Sequence, residues 1–265
     1  MTAADLALGE QLRAAAGWNQ TPADWQRFLA LEPDGCFVAE WNARPAGTTV
    51  ACTFDRVAWI AMVLVDASLR GQGIGTRLME HALAWSDRRG VSSVRLDATP
   101  LGRPIYLKLG FVDEYELVRM AGVGRRDGPS PTLPDAAVEA LFPLDARATA
   151  TPRRRLLAAL LQQQPQSVRV TADAYVMYRP GSRATHIGPG VALRAEAGLA
   201  LADWALAQCD GQPVYADIPT VNRPAMEWAA SRGLVAERRL MRMCRGPRVA
   251  DHPEWIWASS GPEMG

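Results

Sequence analysis

Residues 57 to 76 constrain this chain more than any other stretch. Val57 to Val65 is a continuous apolar run, the mark of a strand buried on both faces. Four turn residues, Asp66 to Leu69, lead into Arg70-Gly71-Gln72-Gly73-Ile74-Gly75, which opens a helix. That helix, Gly75 to Arg89, keeps Leu78, Met79, Ala82 and Trp85 on one face and stops at Gly90. A glycine loop between a buried strand and a helix start is an anion site. Glycines allow positive φ, so successive backbone N–H groups turn inward, and the first helical turn adds unpaired donors and a positive dipole end. Each hydrogen bond to a charged phosphate oxygen is worth about 1.5–3 kcal/mol, so several together hold a pyrophosphate.

Three readings of this loop compete. A nucleoside triphosphate loop needs G-x-x-x-x-G-K-[ST], and Gly71 to Thr76 offers no lysine for the β- and γ-phosphates. A dinucleotide fold needs G-x-G-x-x-G directly after the strand and an acid about 20 residues on. Asp97 nearly supplies the acid, but Thr76 stands where the third glycine belongs and the loop starts four residues late. The third reading is a structural glycine turn with no ligand.

Around this unit the pattern alternates. Residues 6 to 16 and 22 to 31 carry apolar positions at helical spacing, with Thr21 as N-cap and Pro22 at the first helical position. Cys36 to Trp41 and Thr48 to Phe54 read as a hairpin about an Asn42-Ala43-Arg44 turn. Val91 to Leu96 is a strand, Pro104 to Leu109 a short helix ended by Gly110, and Phe111 to Met120 is extended. The order predicts an α/β layer fold. Residues 121 to 135, rich in glycine and proline, read as a linker.

The second half repeats the plan. Val94-Arg95-Leu96-Asp97 is echoed by Val214-Tyr215-Ala216-Asp217, Arg103-Pro104 by Arg223-Pro224, and Gly110-Phe111 by Gly233-Leu234. Leu117-Val118-Arg119-Met120 is echoed by Leu240-Met241-Arg242-Met243. Leu156 to Gln164 reads as a helix, and Ser167 to Ala172 with Tyr175 to Arg179 as a hairpin. His186 to Ala192 takes the buried strand's place, and Ala195 to Gln208 the long helix's. Two copies of one fold are expected, over 1–122 and 136–265, with 123–135 between them.

Composition narrows the setting. A net charge of +1 gives no field of one sign for nucleic acid, a membrane surface or an acidic partner. The apolar run at 57–65 is too short to span a bilayer, and Met1 to Gly17 lacks a signal-peptide core. Cys36, Cys52, Cys209 and Cys244 stand alone, without metal-ligand spacing, as in a reducing compartment. A soluble cytoplasmic protein without a metal is expected.

Met62-Val63-Leu64-Val65 followed by Arg70-Gly71-Gln72-Gly73-Ile74-Gly75 resembles motif A of the GNAT superfamily of N-acetyltransferases, [QR]-x-x-G-x-[GA], through Arg70, Gly73 and Gly75. Ile105-Tyr106-Leu107-Lys108-Leu109-Gly110-Phe111 is similar to the superfamily's Y-x-x-x-G-F hallmark. Leu96 to Pro104 and Gly17-Trp18-Asn19-Gln20 further resemble a bacterial tandem-GNAT subgroup whose C-terminal copy is degenerate. The resemblance implies a tandem α/β (α+β) GNAT fold: a mixed, mostly antiparallel sheet flanked by helices, in two copies. It implies acetyl-coenzyme A as cosubstrate, with the strand ending at Val65 splayed from its neighbour. The pantetheine arm would lie in that gap against Val63 and Val65, as an added strand would. The pyrophosphate would sit on Gln72 to Thr76.

By the same carry-over Tyr106 is the general acid beside the leaving thiolate. A phenol with a pKa near 10 suits that step, and core packing beside Leu109 and Phe111 is the alternative role. Thr99, seven residues earlier, is counted as a cofactor contact although the superfamily often has Asn there. For the base, Glu32, Glu40, Asp55 and Asp97 are candidates that read rather as solvated or capping residues. The family's usual first strand is missing, so either the native start lies upstream of Met1 or the sheet edge is made otherwise. The second copy lacks the loop after Ile187-Gly188-Pro189-Gly190 and has Met226 in the place of Tyr106, so it is not expected to bind coenzyme A. The resulting expectation is an N-acetyltransferase acting on a primary amine of a small molecule, as a monomer or homodimer. The other reading is a non-catalytic acyl-coenzyme A sensor or interaction protein.

Overall fold

Helices and strands of the first half form where the residue period changes. The computed structural model describes residues 1–126 and 134–265. α1 (Leu6–Ala15) is followed by α2 (Pro22–Leu31), where the Asp24 carboxylate accepts from the Thr21 N–H at 2.7 Å and its hydroxyl at 2.9 Å. This satisfies a donor that the helix leaves unpaired. β1 (Cys36–Trp41) and β2 (Arg44–Phe54) turn at Asn42 and Ala43, both at positive φ, as a twisted two-residue hairpin requires. β3 (Val57–Val65), α3 (Ile74–Arg88), β4 (Ser93–Ala98), α4 (Arg103–Lys108) and β5 (Val112–Val123) complete the first copy.

The second copy runs α5 (Leu141–Thr149), α6 (Arg154–Gln163), β6 (Val168–Val170), β7 (Ala174–Arg179), β8 (Thr185–Ala192), α7 (Ala195–Gln208), β9 (Pro213–Pro219), α8 (Arg223–Ser231) and β10 (Val235–Arg245). A short β11 (Ile256–Ala258) follows. Both α4 and α8 start at an Arg-Pro pair, as the echo predicts. α5 is not among the helices expected from the sequence. Its Pro143 looks like a breaker, yet in the first turn proline removes only an N–H with no helical partner.

The described strands form one sheet in the order β1-β2-β3-β4-β10-β5-β9-β8-β7-β6, with β11 on β8. Only β3–β4 and β8–β9 pair parallel; the other named strand pairs are antiparallel. The copies have exchanged their last strands. β10 of the second copy lies against β4 of the first, and β5 of the first lies against β9 of the second. Here the structure departs from the linear reading. β5 extends past Met120 because the second copy offers it a partner, with Gly122 opposite Val214 and the Gly124 N–H donating to the Gln212 carbonyl at 2.8 Å. The expected linker falls partly on 127–133, outside the described residues.

One arginine–aspartate pair locks each exchange. Arg242 sits opposite Asp97 in the β10–β4 register, and Arg119 sits opposite Asp217 in the β5–β9 register. Both are buried bidentate pairs, at 2.9 and 2.9 Å for the first and 2.8 and 2.7 Å for the second. The apolar cores follow the exchange. Met243 of β10 packs into the first copy's cluster under α3, and Val118 and Met120 of β5 into the second copy's under α7. On the other face a single cluster joins the copies, from Trp25, Phe28 and Trp59 to Leu141, Leu156, Tyr175 and Met264. Gly17-Trp18-Asn19-Gln20 clamps the halves. The Asn19 side chain bonds the Ala184 carbonyl at 2.9 Å and the Arg183 and Ala184 amides at 3.0 Å each, and Gln20 reaches Glu263 at 2.7 Å.

Candidate active site

β3 and β4 pair only from Val57–Ser93 to Trp59–Arg95. Beyond Trp59 no ladder joins them, so Ile60 to Val65 present roughly 17 Å of strand edge to an opening between the two strands. A bulge aims this edge. Met62 and Val63 together oppose Thr49, and Met62 stands at φ +53. A non-glycine residue there is strained by about 1–2 kcal/mol. Two threonine hydroxyls hold it, Thr48 donating to the Met62 carbonyl at 2.9 Å and Thr49 to the Ala61 carbonyl at 3.3 Å. Met62, Val63, Leu64 and Val65 all belong to this bulged, open-edged segment.

At the open end β3 runs into the glycine loop. Arg70, Gly71, Gln72 and Gly73 are exposed, Ile74 is buried, and Gly75 and Thr76 are half-buried in the first turn of α3. Gly71 and Gly73 stand at φ +80 and +78, and a Cβ on either would meet nothing within 4 Å. Glycine is needed there for backbone conformation and not for packing. No side chain caps α3 at Gly73, so its first donors stay available.

Tyr106 lies on α4, which closes at Gly110 in the left-handed region. Its ring is half-buried over Gly102, where a Cβ would come within 2.9 Å of it, and 6.0 Å from the Phe111 ring. Tyr106 and Val63 both pack against the apolar cluster that includes Ile60, Leu96, Ala98 and Phe111. Burial pushes its phenol up to about 12, so it stays protonated at neutral pH. Its hydroxyl makes no hydrogen bond among the described residues. Thr99 serves the turn into α4: its hydroxyl accepts from the Gly102 N–H at 3.2 Å.

The acidic candidates scatter. Asp55 is exposed in the β2–β3 turn, at the closed end of the strands. Glu32 is buried at that same end, accepting from the Thr53 hydroxyl at 2.6 Å and facing Arg89 at 3.5 Å and Arg155 at 3.7 Å. Asp97, read from sequence as solvated or capping, is fully shielded and bound to Arg242. Its partner comes from the other copy, out of reach of local pattern. Glu40 is exposed on β1, two strands from β3. The His81 ring meets Phe37 edge-on at 4.6 Å.

The second copy has the same splay without the site. β8 pairs β9 only from Thr185–Val214 to Ile187–Ala216. There β11 fills the opening, pairing Ile256 with Val191 and Ala258 with Gly190, and the Ser259 N–H reaches the Asp217 carbonyl at 2.8 Å. Only Leu193 and Arg194 separate β8 from α7, so no phosphate loop exists. The Trp257 ring lies on α7 at Gly198, where a Cβ would fall 1.9 Å from it. The chain's own strand therefore stands where a ligand's amide arm would add in the first copy. Sequence pattern could not reveal this, since a three-residue strand carries no period. A cavity of about 300 Å³, lined by Arg27, Leu160, Gln163, Met177 and Arg179 among others, lies between α2, α6 and β7, away from the loop.

Comparison with known proteins agrees with this geometry. Residues 7–111 match the profile described as Acetyltransferase (GNAT) family, and residues 141–258 that described as Acetyltransferase (GNAT) domain. The chain is 26% identical to the holothin acyltransferase of Pseudoalteromonas sp. (strain SANK 73390) over 262 residues, 95% of this chain and 88% of that protein. A putative acetyltransferase from Pyrococcus horikoshii shares the fold with a TM-score of 0.88 at 23% identity, over 100% of this chain and 94% of that one. A tandem GNAT protein from the clavulanic acid biosynthesis pathway does so at 0.65 and 16% identity, over 91% and 94%. With one splayed, loop-bearing copy and one plugged copy, the chain belongs to the GNAT acetyltransferase family as a tandem acyltransferase.

Proposed function

We propose that the chain transfers an acetyl group from acetyl-coenzyme A to a primary amine of a small molecule, in the first copy, with Tyr106 as general acid. One observation carries the reading. The uncapped glycine loop, the open edge of β3 and a protonated tyrosine meet in one half, while the equivalent opening of the other half is filled by β11. The pyrophosphate rests on the Gln72 to Thr76 donors, and Met62 to Val65 with Arg70, Gly71 and Thr99 complete the cofactor contacts. The family uses acetyl-coenzyme A as cosubstrate, and the residues present suit its phosphates and amides.

The amine nitrogen attacks the thioester carbonyl carbon, and a backbone N–H of the Val63 to Val65 stretch meets the oxyanion. The carbon–sulfur bond then breaks, its electron pair stays on sulfur, Tyr106 donates the proton, and water returns one to the phenolate. The acids of β4 and β5, with Asp251, are engaged: Asp97 by Arg242, Glu114 and Asp251 by Arg95, Glu116 by Arg239. We therefore assign the amine's proton to water. Under this assignment kcat/KM rises with pH toward the amine's own pKa. A small acceptor fits because the Trp59 face of the sheet is roofed by α1, α2 and Met264. A cytoplasmic setting fits four free, buried cysteines. The units 1–122 and 136–265 are taken as the two copies, interlocked by their exchanged strands.

The test is thiol release from acetyl-coenzyme A across a panel of primary amines. Tyr106→Phe should lower kcat by about 10²-fold or more, with cofactor affinity near that of wild type. Equal turnover in the variant removes Tyr106 from the mechanism. Tight cofactor binding with no turnover on any amine favours the sensor reading.

A further inference from the structure

We infer that Arg242, carried by the second copy, is a positioning residue for the first copy's cofactor cleft, fixing the angle at which β3 leaves β4. The inference rests on the reading of that cleft given above. Backbone pairing between β3 and β4 ends at Trp59–Arg95, and at that point side chains take over. The Arg242 guanidinium binds Asp97 on β4 through two bonds of 2.9 Å and donates to the Tyr115 hydroxyl on β5 at 2.9 Å. Its carbon lies 4.7 Å from the Trp59 ring centroid on β3 and 5.3 Å from that of Tyr115. Three strands of the first copy thus meet on one residue of the second, only 2% exposed. The edge of Trp59 is held too, its indole N–H donating to the Pro262 carbonyl at 3.3 Å. Trp59 therefore cannot swing without breaking both contacts, and β3 leaves the ladder in a fixed direction.

The fold supplies its own control. Arg119 makes the matching buried pair with Asp217, but the ring beneath it, Tyr215 at 4.9 Å, sits on the same strand as Asp217. The counterpart of Trp59 across the β8–β9 ladder is His186, which bonds the Ser259 carbonyl at 3.0 Å. Arg119 spans no open cleft. Two residues with the same chemistry and burial thus differ in whether the opening beside them is left free or filled by β11.

The experiment compares full-length Arg242→Met, Arg242→Lys and Arg119→Met by denaturant unfolding, acetyl-coenzyme A titration and thiol-release kinetics. Both methionine variants should lose comparable stability, since each strands a buried aspartate. Only Arg242→Met should raise the KM and Kd for acetyl-coenzyme A, by about tenfold or more, because misplacing a binding edge by about 1 Å is felt on that scale. Arg242→Lys keeps the charge but not the fork and should fall between. Equal KM changes in the Arg242 and Arg119 variants, or none in either, overturn the inference. If Arg242→Met does not fold, Tyr115→Phe removes the third bond and leaves the Asp97 pair. A KM raised several-fold then supports the inference, and an unchanged KM overturns it. A wild-type chain that binds no acetyl-coenzyme A overturns the cleft reading as well, which separates that failure from this one.

Discussion

Replacing Gly73 by alanine should weaken acetyl-coenzyme A binding about 5–30-fold while barely moving stability. Gly73 is exposed, holds φ +78 and ψ 0, and a Cβ added there meets nothing within 4 Å. Alanine therefore brings no clash, and its effect is the penalty of a left-handed L residue, about 1–2 kcal/mol. In the free protein the exposed loop can relax to negative φ, which turns its donors away from the anion position. Binding has to restore the original turn, so the penalty appears in affinity rather than in the unfolding midpoint. Asparagine tolerates this conformation better, so Gly73→Asn should lose less than Gly73→Ala. Calorimetric titration of the three full-length proteins, with thermal unfolding alongside, reads both quantities. An alanine variant that binds as tightly as wild type, or an asparagine variant weaker than alanine, refutes the reasoning.

Two further outcomes follow from the second copy. Burial first, and then the Arg179 charge, push the His186 imidazole down to about 3, against 6.5 in an unfolded chain. Between these values the unfolded state holds the extra proton, so stability is full above pH 6.5 and falls on acidification, by up to about 1.4 kcal/mol per pH unit. Urea unfolding at pH 7, 6 and 5 should show this slope in wild type and lose most of it in His186→Gln; parallel curves would count against a neutral buried histidine. Gly198→Ala sits within α7, where alanine would ordinarily stabilise by about 1 kcal/mol. Overlap with Trp257 should reverse the sign to a loss of about 1–3 kcal/mol, and a raised midpoint would mean the ring is free to leave.

What the sequence made legible was local. Val57 to Val65, the glycine turn and the helix after it emerged almost at their observed limits, because one period or one φ demand decides each. The hairpin at Asn42-Ala43 and the Arg-Pro helix starts were readable for the same reason. The strand exchange was not, since β5 and β10 have the same pattern whichever partner they take. Its trace was present all the same. Arg119 and Arg242 occupy equivalent places in the repeat, as do Asp97 and Asp217, and four buried charges with repeat symmetry ask for partners across it. Apolar periodicity, which marks strands, ignores charged residues and so does not register that demand. Asp97 reads from sequence as a solvated or capping acid because its partner lies 145 residues away. The plug at β11 was hidden by its brevity, and only the glycines at 188 and 198 marked where a backbone or ring would come close.

The central claim is that one copy holds a cofactor cleft and the other has filled its own. Calorimetric titration of the full-length chain with acetyl-coenzyme A tests it most directly, because stoichiometry needs no knowledge of the acceptor. The account predicts one site per chain, weakened by Gly73→Ala and left intact by Arg119→Met. Two sites per chain, or a single site indifferent to Gly73, would contradict it.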